Sequence, residues 1–168
     1  MRRGPVYVLD SDVLMTAARS YYAFDLVPAF WDAIVREARN GRLLSIDRVK
    51  HEIDEGKDKL KDWANNDFHT WFDSTSSPAI RDAYKRVMQW GWNQPQFTPA
   101  AKQEFADEKN ADPWVVAYAM AKGCFVVTNE RFDANIRRRI KIPNVCQAFN
   151  VQYVDLFEML RRLGLRLS

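Results

Sequence analysis

Two short apolar runs, each closed by polar side chains, constrain the fold of this chain more than any other feature. Residues 6–9 form the first run, which stops at Asp10, and residues 124–127 form the second, which stops at Thr128. Uninterrupted β-branched and aromatic runs of this length are typical of strands buried on both faces of a parallel sheet. Helical patterns follow both runs, so the order of elements predicts an α/β fold in which helices cover both faces of that sheet.

The remaining pattern gives the predicted elements between and after these strands. Turn residues, helix caps and apolar spacing set their limits. In chain order they are a helix over 13–19, a helix capped by Asp25 that ends at Asn40–Gly41, a strand at 43–44, a helix capped by Ser45 that ends at Gly56, a helix that starts at Asp112–Pro113 and ends at Lys122–Gly123, a helix over 133–139, a strand at 145–146, and a helix over 153–163 with Val154, Phe157 and Leu160 inward.

Residues 57–109 differ from the rest of the chain because they are charged, rich in aromatic residues and interrupted by prolines. They predict an inserted helical region within a single domain that spans residues 1–168. The length of 168 residues suits one hydrophobic core. A content of 47% hydrophobic and 13% aromatic residues excludes a disordered chain.

Several features predict a cytoplasmic protein without a membrane segment. No apolar run is long enough to cross a bilayer. The N-terminus has two arginines, but the apolar run behind them ends at Asp10 and is too short for a signal peptide. Cys124 and Cys146 lie in apolar stretches and fit a reducing compartment. Neither they nor His51 and His69 have the spacing of a metal site.

Polar side chains follow both predicted strands, where the carboxyl ends of a parallel sheet form the usual functional edge. Asp10 and Asp12 follow the first strand, and Thr128, Asn129 and Glu130 follow the second. If these two strands are neighbours in the sheet, the three carboxylates and the amide should converge in one crevice.

Two more carboxylates are expected at the same edge. Glu52 lies beside the buried face of its predicted helix, and Asp112 precedes Pro113 at the start of another. Carboxylates held close together stay ionised when a cation neutralises them. Oxygen ligands of this kind suit Mg²⁺ or Mn²⁺, and such sites hydrolyse phosphodiesters.

Each acid also has a purely structural interpretation. Asp112 can be a helix cap, Glu52 a solvated helix residue and Glu130 a surface residue, whereas Asp10 and Asp12 can shape a turn. The joint arrangement, rather than any single residue, favours a site.

Four segments in order resemble the PIN-domain family. They are the strand and polar turn at 6–12, the helix at 45–53 that carries Glu52, the segment 111–119 that carries Asp112, and the strand and turn at 125–130. The stretch 21–25 with Pro28, Phe30 and Trp31, together with the stretch 142–146, resembles an uncharacterised prokaryotic PIN-like subgroup.

The resemblance implies a three-layer α/β/α PIN-like domain with a central parallel sheet. It implies a metal-dependent endoribonuclease that leaves 5′-phosphate and 3′-hydroxyl ends. Such enzymes are often toxins of type II toxin–antitoxin systems, as in the VapC type, so a protein antitoxin and a homodimer are implied partners. The implied site has Asp10, Glu52, Asp112 and Glu130 as catalytic and metal-binding acids, with Ser11, Asp12, Thr128 and Asn129 as auxiliary residues.

Basic residues are clustered, although the net charge is only +3. We predict that the first cluster, in residues 137–141, contacts the phosphate backbone of RNA, since charge contacts position nucleic acid without reading its sequence. The alternative is that both clusters are solvated faces. The first cluster is Arg137, Arg138, Arg139 and Lys141, and the second is Arg161, Arg162 and Arg166.

Two other functions remain open. A haloacid-dehalogenase-type phosphatase would use Asp10 as nucleophile and Asp12 as acid/base, with Thr128 in its second motif. That family needs a later acid pair behind a strand, which is missing, and it gives no role to Glu52 and Asp112. A non-catalytic RNA-binding module would use the basic clusters and exposed aromatic residues.

Overall fold

A five-stranded parallel sheet with the order β3-β2-β1-β4-β5 lies at the centre of the computed structural model, which describes residues 4–167. The two N-terminal arginines considered for a signal peptide lie outside the described residues. The strands are β1 (Tyr7–Leu9), β2 (Leu43–Ile46), β3 (Phe72–Asp73), β4 (Phe125–Val127) and β5 (Tyr153–Val154).

Helices cover both faces of the sheet, so the predicted three-layer α/β/α architecture is confirmed. Within residues 4–167, no helix is both long and apolar enough to cross a membrane. The helices are α1 (Ser11–Thr16), continued by a π-helix (Ala17–Tyr21), α2 (Pro28–Arg39), α3 (Asp47–Asp54), α4 (Lys59–Asn66), a 3₁₀ turn (His69–Trp71), α5 (Pro78–Asn93), α6 (Pro99–Ala106), α7 (Asp112–Lys122), α8 (Ile142–Ala148) and α9 (Leu156–Arg162).

The two apolar runs form neighbouring strands, as predicted. Tyr7 pairs with Phe125 and Leu9 with Val127, and every residue of β1 is buried. The chain starts in the middle of the sheet and the strand order grows outward in both directions. β1 and β4 therefore flank the switch point at which open α/β sheets bind their ligands.

The inserted region contains α4, α5 and α6, but it also adds a strand that the helical pattern did not predict. β3 pairs in parallel with β2 and forms one edge of the sheet. Tyr84 on α5 stacks on Trp114 of α7 with ring centroids 3.8 Å apart, and the guanidinium of Arg48 lies 4.1 Å from the Trp114 ring. The insertion is therefore packed onto the core through aromatic contacts.

Both helix caps predicted in the first third of the chain are wrong. α2 begins at Pro28 without any side-chain cap, and Asp25 is exposed. Ser45 lies within β2 and its buried hydroxyl donates to the carbonyl of Leu9 at 2.6 Å. A buried hydroxyl needs such a partner, and the neighbouring strand supplies it.

Predictions for the last third are partly wrong. Residues 133–139 form no helix, and residues 145–146 belong to α8, whose first turn contains Pro143. The start of the predicted last helix is instead β5, and Phe157 is 41% exposed rather than inward. Short apolar runs fit a strand or a buried helix equally well, and tertiary packing decides between them.

Candidate acidic site at the edge of the sheet

Asp10 joins β1 to α1 and is only 1% exposed. Its carboxylate caps α1 by accepting a hydrogen bond from the amide of Val13 at 2.8 Å, which explains why this helix begins earlier than predicted. Burial raises the pKa of Asp10 well above its usual range, and the charges of Asp112 and Asp12 raise it further. The amide of Val13 and the hydroxyl of Thr128 lower it.

Glu52 connects three helices at this edge. One carboxylate oxygen accepts from the hydroxyl of Ser11 at 2.8 Å, and the other accepts from the amide of Ala111 at 2.7 Å. These two bonds turn Glu52 towards the sheet, so it is not a fully solvated helix residue. They also bring the start of α7 beside α1 and α3.

Asp112 is the first residue of α7, and the cap position before it belongs to Ala111. The predicted side-chain cap is therefore absent, and the carboxylate of Asp112 lies 3.5 Å from the guanidinium of Arg139. Burial raises the pKa of Asp112 to about 7, the charges of Glu130 and Glu52 add to this rise, and Arg139 opposes it.

Glu130 lies in the irregular segment after β4. Its Oε2 atom is buried and forms no hydrogen bond with any described residue, although Arg139 Nη2 lies 3.6 Å away. Its backbone amide donates to the hydroxyl of Thr128 at 3.2 Å. Burial raises the pKa of Glu130, against the lowering effect of Arg139. The hypothesis that Glu130 is merely a surface residue does not fit this burial.

The auxiliary candidates surround these acids. Thr128 is buried beside Asp10, Ser11 holds Glu52, and Asp12 is exposed at the mouth of the site. Asn129 accepts from the amide of Leu156 at 3.4 Å, so its side chain links the site to the start of α9.

The charges of Asp10, Glu52 and Glu130 all interact with Asp112, so the four acids lie near one edge of the sheet, and we call Asp10, Glu52, Asp112 and Glu130 the acidic site. A cleft of about 420 Å³ opens onto it and contains three further acids, Glu55, Glu104 and Asp107, that the sequence patterns did not indicate. Glu55 could have been found because it follows Glu52 by one helical turn. The cleft is lined by Ser11, Asp12, Met15, Glu52, Glu55, Glu104, Asp107, Lys109, Asn110, Asp112 and Arg139.

A larger groove of about 730 Å³ shares Asp12 with this cleft and also contains Glu130. Three of its lining residues, Tyr21, Phe132 and Phe157, are large exposed aromatic residues. Exposed rings beside an acidic cleft can stack against planar ligands such as nucleobases.

The chemistry of the donor atoms fits the predicted metal. The donors are carboxylate oxygens, which hard divalent cations prefer. The pKa values of Asp10 and Asp112 are raised, and one oxygen of Glu130 forms no hydrogen bond with the described residues. A positive charge near these acids would therefore stabilise their ionised forms. As the side chains stand in residues 4–167, no three acidic, histidine or cysteine groups are close enough to hold one ion. Arg139 instead bridges Asp112 and Glu130.

The basic residues divide between two environments. We call residues 131–141 the basic loop, because this irregular segment carries Arg137, Arg138, Arg139 and Lys141. Arg137, Arg138 and Arg139 are all exposed, but only the guanidinium of Arg139 reaches Asp112 and Glu130 among the described residues. Lys141 donates to the carbonyl of Arg131 at 3.3 Å. In the second cluster, two arginines pair with Glu158 on the surface of α9.

Three solved structures resemble this fold. VapBC2 from Rickettsia felis, solved with a DNA fragment from its promoter, is 14% identical in sequence with a TM-score of 0.52. The match spans 89% of this chain and 98% of the VapBC2 chain. FitAcB from Neisseria gonorrhoeae is 15% identical with a TM-score of 0.51, and the match spans 88% of this chain and 96% of the FitAcB chain. PAE2754 from Pyrobaculum aerophilum is 14% identical with a TM-score of 0.51, and the match spans 95% of this chain and 97% of the PAE2754 chain.

The structural comparison identifies a PIN-like fold for this chain. No curated protein matches the sequence. A family profile described as a domain of unknown function (DUF4411) matches residues 7–167. The chain therefore belongs to the DUF4411 family.

Proposed function

We propose that this protein is a metal-dependent endoribonuclease and the toxin of a type II toxin–antitoxin pair. The observation that carries the proposal is the convergence of Asp10, Glu52, Asp112 and Glu130 beside the β1/β4 switch point. One buried and three partly buried carboxylates near one another are costly unless a cation or a substrate group compensates for them. A site of this composition is suited to phosphodiester chemistry rather than to packing.

These four acids would hold Mg²⁺ or Mn²⁺. Bound there, either ion would supply a Lewis acid for hydrolysis of a phosphodiester. The protein's contribution is to fix the acids before substrate arrives. Ser11 and the amide of Ala111 orient Glu52 through bonds of 2.8 and 2.7 Å, and the start of α1 orients Asp10. Removal of contacts that orient metal-binding residues typically lowers metal affinity or activity by about 10- to 100-fold.

RNA is the proposed substrate because cations and aromatic rings surround the acidic site. Arg137 and Arg138 are exposed on the basic loop, where they can contact phosphates. The groove with Tyr21 and Phe157 can accept unpaired bases by stacking. Both features flank the acids, so a single strand could pass across them.

The proposed partner is a protein antitoxin. It is supported by the structures from Rickettsia felis and Neisseria gonorrhoeae, which are toxin–antitoxin complexes. An antitoxin that covers the cleft would block access to the acidic site. A homodimer remains part of the proposal from the family resemblance.

The phosphatase alternative is less well supported. Its nucleophile would be Asp10, which is 1% exposed and already bonded to the amide of Val13. It also gives no role to Glu52 or Asp112. Trapping of a phosphoenzyme would favour it, because the nuclease forms no aspartyl phosphate.

The experiment is incubation of the purified protein with labelled RNAs in Mn²⁺ or in EDTA, beside an Asp112→Asn variant. We expect cleavage in Mn²⁺, none in EDTA, and a loss of about 100-fold or more in the variant. Cleavage that persists equally in EDTA and in the variant would overturn the proposal. RNA binding without any cleavage, retained in an Asp10→Asn variant, would favour the binding module.

A further inference from the structure

The basic loop has no helix or strand, yet it places charges beside the acidic site. Like charges repel along a loop and tend to extend it. Arg137, Arg138 and Arg139 are consecutive, so the loop needs contacts from elsewhere to keep one shape. For the middle of the loop, those contacts come from the inserted region.

Gln96 supplies the central contact. It lies in the turn between α5 and α6, and its Nε2 atom donates to the carbonyls of Ala134 at 2.9 Å and Ile136 at 2.7 Å. The amide of Thr98 donates to the carbonyl of Arg137 at 2.9 Å. The side-chain amide of Gln96 thus uses both of its hydrogens on the loop.

Packing continues this attachment towards Arg139. Ile140 is 3% exposed and lies above Gly91 of α5. A Cβ atom at Gly91 would stand 3.4 Å from Ile140 Cδ1 and 3.3 Å from the ring of Phe105. The absence of a side chain at Gly91 therefore lets the loop approach the inserted helices closely.

The two ends of the loop have different anchors. Near its start, Asn144 of α8 donates to the carbonyl of Asp133 at 2.9 Å. The side-chain amine of Lys141, the last residue of the loop, donates to the carbonyl of Arg131, the first, and so joins its two ends. Among the described residues, hydrogen bonds from outside the loop reach the backbone of 134–137 through Gln96 and Thr98. The inserted turn therefore determines where the exposed arginines lie.

We propose that Gln96 is a positioning residue that holds the basic loop so that Arg137 and Arg138 meet the backbone of the RNA. This inference rests on the proposed function and assigns the inserted region a part in substrate binding. Gln96 suits the task because it is neutral and adds no repulsion to the arginines. Without it, the Ala134 and Ile136 carbonyls would have no partner from the inserted turn, and the loop could move away from the acidic site.

The test compares Gln96→Met with Gln94→Met, a matched control whose side chain forms no hydrogen bond with the described residues. We expect Gln96→Met to raise the KM for RNA about three- to tenfold and to leave kcat within about twofold. The salt slope should become shallower by about 0.7 for each phosphate that the arginines no longer neutralise. Gln94→Met should change neither quantity.

A double-mutant cycle tests whether Gln96 acts through the arginines. In an Arg137→Gln/Arg138→Gln background, Gln96→Met should have almost no further effect on KM. An additive effect, or an unchanged salt slope in folded Gln96→Met, would overturn the inference. Gln96→Asn, whose amide is too short to reach both carbonyls, provides the same test should the methionine variant not fold. Wild-type protein that cleaves no RNA would instead count against the proposed function.

Discussion

The acidic site and the basic loop lie side by side but are built in different ways. Three of the four acids lie on or next to regular elements: Asp10 follows β1, Asp112 begins α7, and Glu52 lies on α3. The basic loop has no regular element, and Gln96 and Thr98 hold its middle. Acids placed by the main fold are costly to move, whereas a loop held by a few bonds can change at little cost to stability.

Arg139 is where these two regions meet. It comes from the loop but bridges Asp112 and Glu130 at 3.5 and 3.6 Å. In the absence of a metal ion, this guanidinium provides positive charge to two partly buried carboxylates. Binding of a divalent ion by the same carboxylates would compete with it.

The largest expected difference between the two regions concerns activity. Asp10→Asn should lower RNA cleavage by about 100-fold or more, because the amide keeps the helix cap but removes a charged ligand. Arg137→Gln/Arg138→Gln should raise KM only several-fold and flatten the salt slope by about 1.4. Steady-state kinetics at several salt concentrations measure both. Equal losses of kcat in the two variants would contradict the assignment of the acids to catalysis and of the arginines to RNA binding.

The pH dependence of stability should come from the acidic site. The pKa of Asp112 is raised from its ordinary value near 3.8 to about 7, so its protonated form fits the metal-free fold better. Its contribution to stability is complete below pH 3.8 and is lost as the pH rises to about 7. Asp112→Asn should therefore stabilise metal-free protein at pH 8 by about 1–3 kcal/mol, but hardly at a pH of about 3.5. Urea unfolding at both pH values measures this, and a variant less stable at pH 8 would contradict it.

The smallest expected effect concerns Arg139, which is 48% exposed in its side chain. Arg139→Met should lower metal-free stability by less than about 1 kcal/mol, as is usual for exposed ion pairs. The same change should tighten Mn²⁺ binding several-fold, because the ion no longer competes with a guanidinium. Calorimetric titration measures the affinity, with Arg137→Met as control. Weaker Mn²⁺ binding in Arg139→Met would mean that Arg139 helps to organise the ligands.

The sequence predicted the main features of the sheet because its two central strands are fully apolar and each ends in polar residues. The pairing of β1 with β4 and the three-layer architecture are confirmed. Boundaries in the last third were less predictable. Residues 145–146 lie in a helix because Pro143 starts one there, whereas β5 takes only Tyr153 and Val154. An apolar run of two residues carries too little information to separate these states.

The acidic residues could be predicted, but their arrangement could not. Glu52 faces the sheet because the amide of Ala111, which is 59 residues away, and the hydroxyl of Ser11 hold it there. No local pattern predicts such a contact. The same applies to Arg139, which the sequence pattern placed in a helix, and to Gln96, whose role depends on carbonyls 38 and 40 residues away.

Titration of Mn²⁺ into metal-free protein tests the central claim most directly. Wild type and Glu55→Gln, which changes an exposed acid of the same cleft, should bind the ion with similar affinity. Asp112→Asn should bind at least about tenfold more weakly. Equal binding by all three proteins would contradict the claim that the acidic site at the edge of the sheet binds a metal ion.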